Sequence, residues 1–86
     1  MKIRLLALIA FLEDALTGPK KPPGFVSVLQ ALWVVSRLCG SYSDKDDLGH
    51  YFRIADKLPR IAGTDIYRGI IAQFYASDFW TATAAL

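Results

Sequence analysis

Between Leu5 and Leu12 the chain runs through eight residues, LLALIAFL, without one polar side chain. A stretch this short cannot cross a bilayer, because a spanning helix takes roughly 20 apolar residues. It has to be hidden by the rest of the chain or by something outside it. The rest of the chain is small: 86 residues make one domain, 1–86, in which a single core is only marginally sufficient. A domain of this size has much surface per unit volume and should be comparatively polar. Yet 53% of its residues are apolar with the six glycines left out, against about 45–50% for typical domains with glycine included. That excess predicts apolar surface covered by another protein, by a second copy or by lipid.

Breaks rich in glycine and proline, with one polar loop, divide the chain into four segments, all read as helices. The first covers Lys2 to Leu16 and stops at Gly18-Pro19, a helix-ending glycine followed by a residue that cannot continue the helix. The loop TGPKKPPG is short enough to make the next helix its antiparallel neighbour. The second helix covers Phe25 to Cys39 and ends at Gly40, being too long for an ordinary strand. At helical spacing Phe25, Val28, Leu29, Leu32, Val35 and Cys39 share its inner face, while Ser27, Gln30, Val34, Arg37 and Leu38 lie opposite.

In the third helix Ser43 or Asp44 caps the start, Asp46 and Asp47 occupy the first turn, and Lys57 the last before Pro59. Its inner stripe is Leu48, Tyr51, Phe52, Ala55 and Leu58, with Asp46, His50, Arg53 and Lys57 outside. The fourth starts at Thr64 or Asp65 and carries Ile66, Tyr67, Ile70, Ile71 and Phe74 inward. Continued without a break, it would bury Asp78 and turn Tyr75 and Phe79 outward, so either it ends near Ser77-Asp78 or the aromatic pair forms a second contact surface. The expected architecture is all-α, a small four-helix bundle with helices one and two nearest its centre.

Helix one places Lys2 and Arg4 at its positive end and Glu13 and Asp14 at its negative end, each opposed by the dipole. Lys20 and Lys21 are candidate partners for the two acids. Basic residues ahead of an apolar run also imitate a secretory signal, but Glu13 and Asp14 follow at once with no small-residue cleavage site, so a structural helix is the better reading.

Chemistry is sparse. The one cysteine, Cys39, excludes an intramolecular disulfide and a CxxC-type zinc site, which fits a reducing, cytoplasmic setting. As a nucleophile paired with His50, the only histidine, it would need a depressed thiol pKa, and the end of a helix gives the opposite. It reads as a buried structural residue. DKDDLGHYF opens like a calcium loop, but Leu48 stands where a ligand is needed and Ala55 where the bidentate glutamate should be. Asp46 and His50, one turn apart, are too few to hold a metal. Asp78 is better taken as a cap than as a general acid. No cofactor, metal or small-molecule substrate is expected, and no enzyme activity.

A net charge of +2 without a basic face disfavours nucleic acid, and a helix-turn-helix built from helices two and three would present three aspartates to the phosphates. A single-strand stacking surface of Arg68, Tyr75, Phe79 and Trp80 loses to the ordinary role of aromatics in a core. The expected function is a non-enzymatic protein–protein interaction module: a small inhibitor, immunity-type protein or accessory subunit, or a homodimer. Size and helix spacing are shared by many small helical inhibitors and immunity proteins, though no motif singles out a family. Hot spots favour Trp, Tyr and Arg, and the candidate partner-binding residues are Trp33, Val34, Arg37, Leu38, Arg68, Tyr75, Phe79 and Trp80, several lying off their core stripes. The alternative is a membrane-surface protein with helix one in the interface and Lys2, Arg4, Lys20 and Lys21 near anionic headgroups.

Overall fold

A computed structural model describes residues 3–18, 24–42 and 48–84. Among the described residues five helices follow one another: α1 (Ile3–Thr17), α2 (Phe25–Tyr42), α3 (Leu48–Ala55), α4 (Asp65–Tyr75) and α5 (Asp78–Ala84). They pack into one all-helical globule, with α1 and α2 making the most extensive contact and α5 lying against the other flank of α1. The body measures 35 × 26 × 18 Å. Helices in contact sit 8–10 Å apart, so 18 Å is about two helix layers and neither α1 nor α2 can be surrounded.

The count of four helices is corrected to five. α4 stops at Tyr75 because Ala76 and Ser77 close a turn: the Ala76 N–H donates to Ala72 O and the Ser77 N–H to Phe74 O at 3.0 Å. Ser77 Oγ donates to the same Phe74 carbonyl at 2.6 Å, so the hydroxyl closes α4, while the Ser77 carbonyl accepts from Thr81 N–H to begin α5. The break solves the periodicity conflict. Asp78 becomes an exposed residue in the first turn of a new helix, where the dipole favours an acid. Phe79 swings onto Phe11 (ring centroids 6.2 Å) and is not turned outward as in a straight α4, Trp80 packs on Phe74 (5.6 Å), and Tyr75 stays 42% exposed.

Two boundaries also move. α2 does not end at Gly40 but runs to Tyr42, and Gly40 faces α1, where an added Cβ would lie 3.6 Å from Leu5 Cδ2. α3 ends at Ala55, not before Pro59, so Arg53 rather than Lys57 occupies its last turn. A series of turns from Asp56 to Thr64 follows, and Leu58 C=O accepts from both Ile61 and Ala62 N–H. Gly63 sits there at φ +73°, a region that penalises any Cβ. Thr64 then caps α4, its Oγ1 accepting the Tyr67 N–H at 3.1 Å. The expected caps Ser43 and Asp44, the charges Asp46 and Asp47, and Lys2, Lys20 and Lys21 lie outside the described residues.

The core is built from Leu5, Leu8, Phe11 and Leu12 of α1, the anticipated inner stripe of α2 from Val28 to Cys39, Leu48, Tyr51 and Ala55 of α3, and Tyr67, Ile70 and Phe74 of α4. Phe25, Phe52, Leu58, Ile66 and Ile71 pack against it half-buried. Two core positions fall outside every expected stripe. Ile61 is buried from within the α3–α4 connection, and Ser36 is buried on α2 with its hydroxyl donating to Trp33 O at 2.8 Å. Tyr51 is fully buried and donates to Leu32 O at 3.3 Å. Among the described residues, every buried polar side-chain atom has a partner, as a small core requires.

Candidate docking surface

Trp33, Val34, Arg37 and Leu38 lie together on the outer flank of α2. Val34 is 46% and Leu38 51% exposed, on the side that their spacing assigns to solvent. Between them Arg37 is held in place from two directions. Its guanidinium lies 5.1 Å from the centre of the Trp33 ring, and its Nη1 is 3.5 Å from Glu13 Oε1. Trp33 Nε1–H donates to that same oxygen at 3.2 Å. One carboxylate of α1 therefore positions both a tryptophan and an arginine of α2. Glu13, opposed by the dipole of its own helix, finds its cation on the neighbouring helix.

The other four candidates form a separate corner. Arg68 is exposed and paired with Asp65 at 2.6 Å, one turn away on α4. Tyr75, 42% exposed, stands edge-on to Trp80 at 5.0 Å. Trp80 is half-buried, with the Arg4 guanidinium 5.8 Å from its ring centre, and Phe79 is half-buried against Phe11. Phe79 and Trp80 thus act in part as core, through the break in α4.

Among the described residues Leu6, which no sequence pattern marks, is the most exposed large apolar residue, at 59%. It forms a ridge between two recesses. On one side Leu5, Leu6, Ile9, Arg37 and Gly40 line a hollow of about 200 Å³; on the other Ile3, Leu6, Ala7, Phe79 and Ala82 line an open groove of about 530 Å³. Leu6 therefore joins the α2 patch, through Arg37, to the α5 corner. The uniform apolar run of α1 has no polar stripe to mark which residue faces out, so periodicity could not single Leu6 out.

Cys39 is buried, and burial pushes its thiol up from its ordinary value, away from the reactive thiolate. The Tyr51 phenol is raised by burial and stays protonated. Among the described residues no three His, Cys, Asp or Glu side chains come together as metal ligands, and no helix is long and apolar enough to cross a membrane. Compared with family models, curated proteins and solved structures, the chain has no significant match in any of the three.

Proposed function

We propose that the protein is a non-enzymatic interaction module of the inhibitor, immunity-type or accessory-subunit kind, docking another protein through the outer face of α1 and α2. The observation behind this reading is the adjacency of three exposed large apolar residues, Leu6, Val34 and Leu38, to an arginine already fixed by Glu13 and Trp33. A pre-positioned Arg and Trp lose little side-chain entropy on binding, and these residue types dominate hot spots. The Arg37 charge is already balanced by Glu13, so the partner surface is expected to be mainly apolar and not strongly acidic. A membrane-surface role draws support from the exposure of Leu6 beside Arg37. Against it, Leu5, Leu8, Phe11 and Leu12 are committed to the core, which leaves α1 only a narrow apolar stripe for an interface.

The test is Val34→Lys combined with Leu38→Lys. Both sites are exposed, so the double variant should keep its circular dichroism spectrum and its melting temperature, because charges placed in water cost little. It should lose co-purification with the native partner, and Leu6→Lys should act in the same sense. Unfolding of the double variant would make this face core. Self-association of the isolated chain, abolished by the same changes, would assign the face to a second copy instead.

A further inference from the structure

Away from the α1–α2 face, the end of α3 and one side of α4 border an open recess of about 470 Å³ lined by Phe52, Tyr67 and Tyr75, with Asp56 and Arg68 at its polar edge. Phe52 and Tyr75 stand 6.4 Å apart between ring centres, inclined at 44°. Tyr67 is buried and donates its O–H to Asp56 Oδ1 at 3.2 Å, which fixes the carboxylate against the aromatic wall. The edge carries one charge of each sign. Arg68 is exposed and turned to Asp65 at 2.6 Å, outside the recess lining, whereas among the described residues Asp56 has no ion pair. The two tryptophans each carry an arginine of this chain, Arg4 on Trp80 and Arg37 on Trp33, but among the described residues no cation lies over Phe52, Tyr67 or Tyr75.

We infer that this recess binds the ammonium head of a small organic cation, an alkylammonium or quaternary ammonium compound, through the faces of Phe52 and Tyr75 and the charge of Asp56. Aromatic walls attract such a cation by their quadrupole, and they tolerate the alkyl groups that prevent it from being fully hydrated. An adjacent carboxylate adds the charge complement. A neutral ligand of the same shape would gain the apolar contact without either electrostatic contribution. The site is independent of the α1–α2 docking face, since it shares no residue with it.

Choline and its uncharged isostere neohexanol separate these contributions. In a titration of the intact protein followed by NMR, choline should shift the Phe52, Tyr67 and Tyr75 ring signals saturably, and neohexanol should bind about two- to fivefold more weakly, the strength of an exposed cation–π contact. Asp56→Asn keeps an oxygen for the Tyr67 hydroxyl but removes the charge; it should weaken choline and leave neohexanol unchanged. Tyr75→Leu, at an exposed position, should weaken choline more than neohexanol. Equal binding of the two ligands, no saturable shift with choline, or indifference of choline to Asp56→Asn would each overturn the assignment. Tighter binding of a lysine-containing peptide than of choline would overturn it in favour of a partner's side chain.

Discussion

Helices α3 and α4 close on themselves in a way that α1 and α2 do not. On α3, Leu48, Tyr51 and Ala55 are buried while His50 and Arg53 face water, and on α4 Tyr67, Ile70 and Phe74 are buried while Arg68 and Gln73 are exposed. Each has one apolar stripe, covered by α2 in the case of α3 and by α2 and α5 in the case of α4. α1 and α2 bury stripes of similar width, yet Leu6, Val34 and Leu38 remain outside. In a body about two helices thick, the apolar content of α1 and α2 exceeds what their neighbours can cover. The exposed large apolar residues of α1 and α2 are aliphatic, whereas on α4 Tyr75, 42% exposed, still stands edge-on to Trp80 of α5.

The sharpest way to break this contrast is within α1 itself. Leu8 is fully buried and Leu6 is 59% exposed, two residues apart on one helix. Leu8→Ala should lower stability by about 2–5 kcal/mol through lost burial and a residual cavity. Leu6→Ala should stay within about 0.5 kcal/mol, the usual range for a surface change. Urea unfolding midpoints give both numbers. A Leu6→Ala loss approaching that of Leu8→Ala would mean that α1 has no outward face.

How far such distinctions are legible in the sequence depends on whether a helix has two chemically different sides. On α2 the alternation of Ser27, Gln30 and Arg37 with the leucine and valine stripe is enough to orient the helix, and Val34 and Leu38 are exposed as that spacing requires. On α1 no such alternation exists before Glu13, so Leu6 could not be told from Leu5. The break after Tyr75 was signalled by the conflict between Asp78 and Phe79, but its resolution depended on Phe11, a residue of α1 distant in sequence. Ile61 and the engagement of Glu13 by Trp33 and Arg37 are tertiary facts with no local pattern behind them. The aromatic recess is of the same kind, because Phe52 and Tyr75 meet only after the turns between α3 and α4 have reversed the chain.

On the α3–α4 half, pH acts through a buried phenol. Burial first, and then the neighbouring Asp56 charge and hydrogen bond, push the Tyr67 phenol up from 10.0 to about 12. The folded state therefore favours the protonated phenol. The associated stability is fully present below pH 10 and is lost as the pH rises toward 12. Tyr67→Phe should flatten the loss in that interval by about 1–2 kcal/mol, measured as unfolding free energy against pH. Some loss should remain, since Tyr51 is raised in the same sense by its own burial. A slope unchanged by Tyr67→Phe would show that the phenol is more hydrated than its packing on α4 implies.

The smallest expected effect compares two glycines, one on each half. Gly40 lies in the last turn of α2 against α1, and Gly69 lies within α4 on its exposed side. Neither has a positive φ, so alanine fits the backbone at both. In each case the substitution should add about 0.5–1 kcal/mol by lowering the conformational freedom of the unfolded chain. At Gly69 the new methyl meets nothing within 4 Å, so the gain there measures backbone entropy alone. At Gly40 it meets Leu5 Cδ2 at 3.6 Å and Ile9 Cδ1 at 3.8 Å, ordinary van der Waals distances at the edge of the hollow beside Leu6 and Arg37. The Gly40→Ala gain should therefore equal or slightly exceed that of Gly69→Ala, raising the melting temperature by up to about 4–8 °C for a domain of this size. A smaller gain at Gly40, or a loss, would mean that α1 and α2 lie too close for the methyl. In that event the surplus apolar surface of this half would come from tight packing of its two helices and not from a shortage of neighbours.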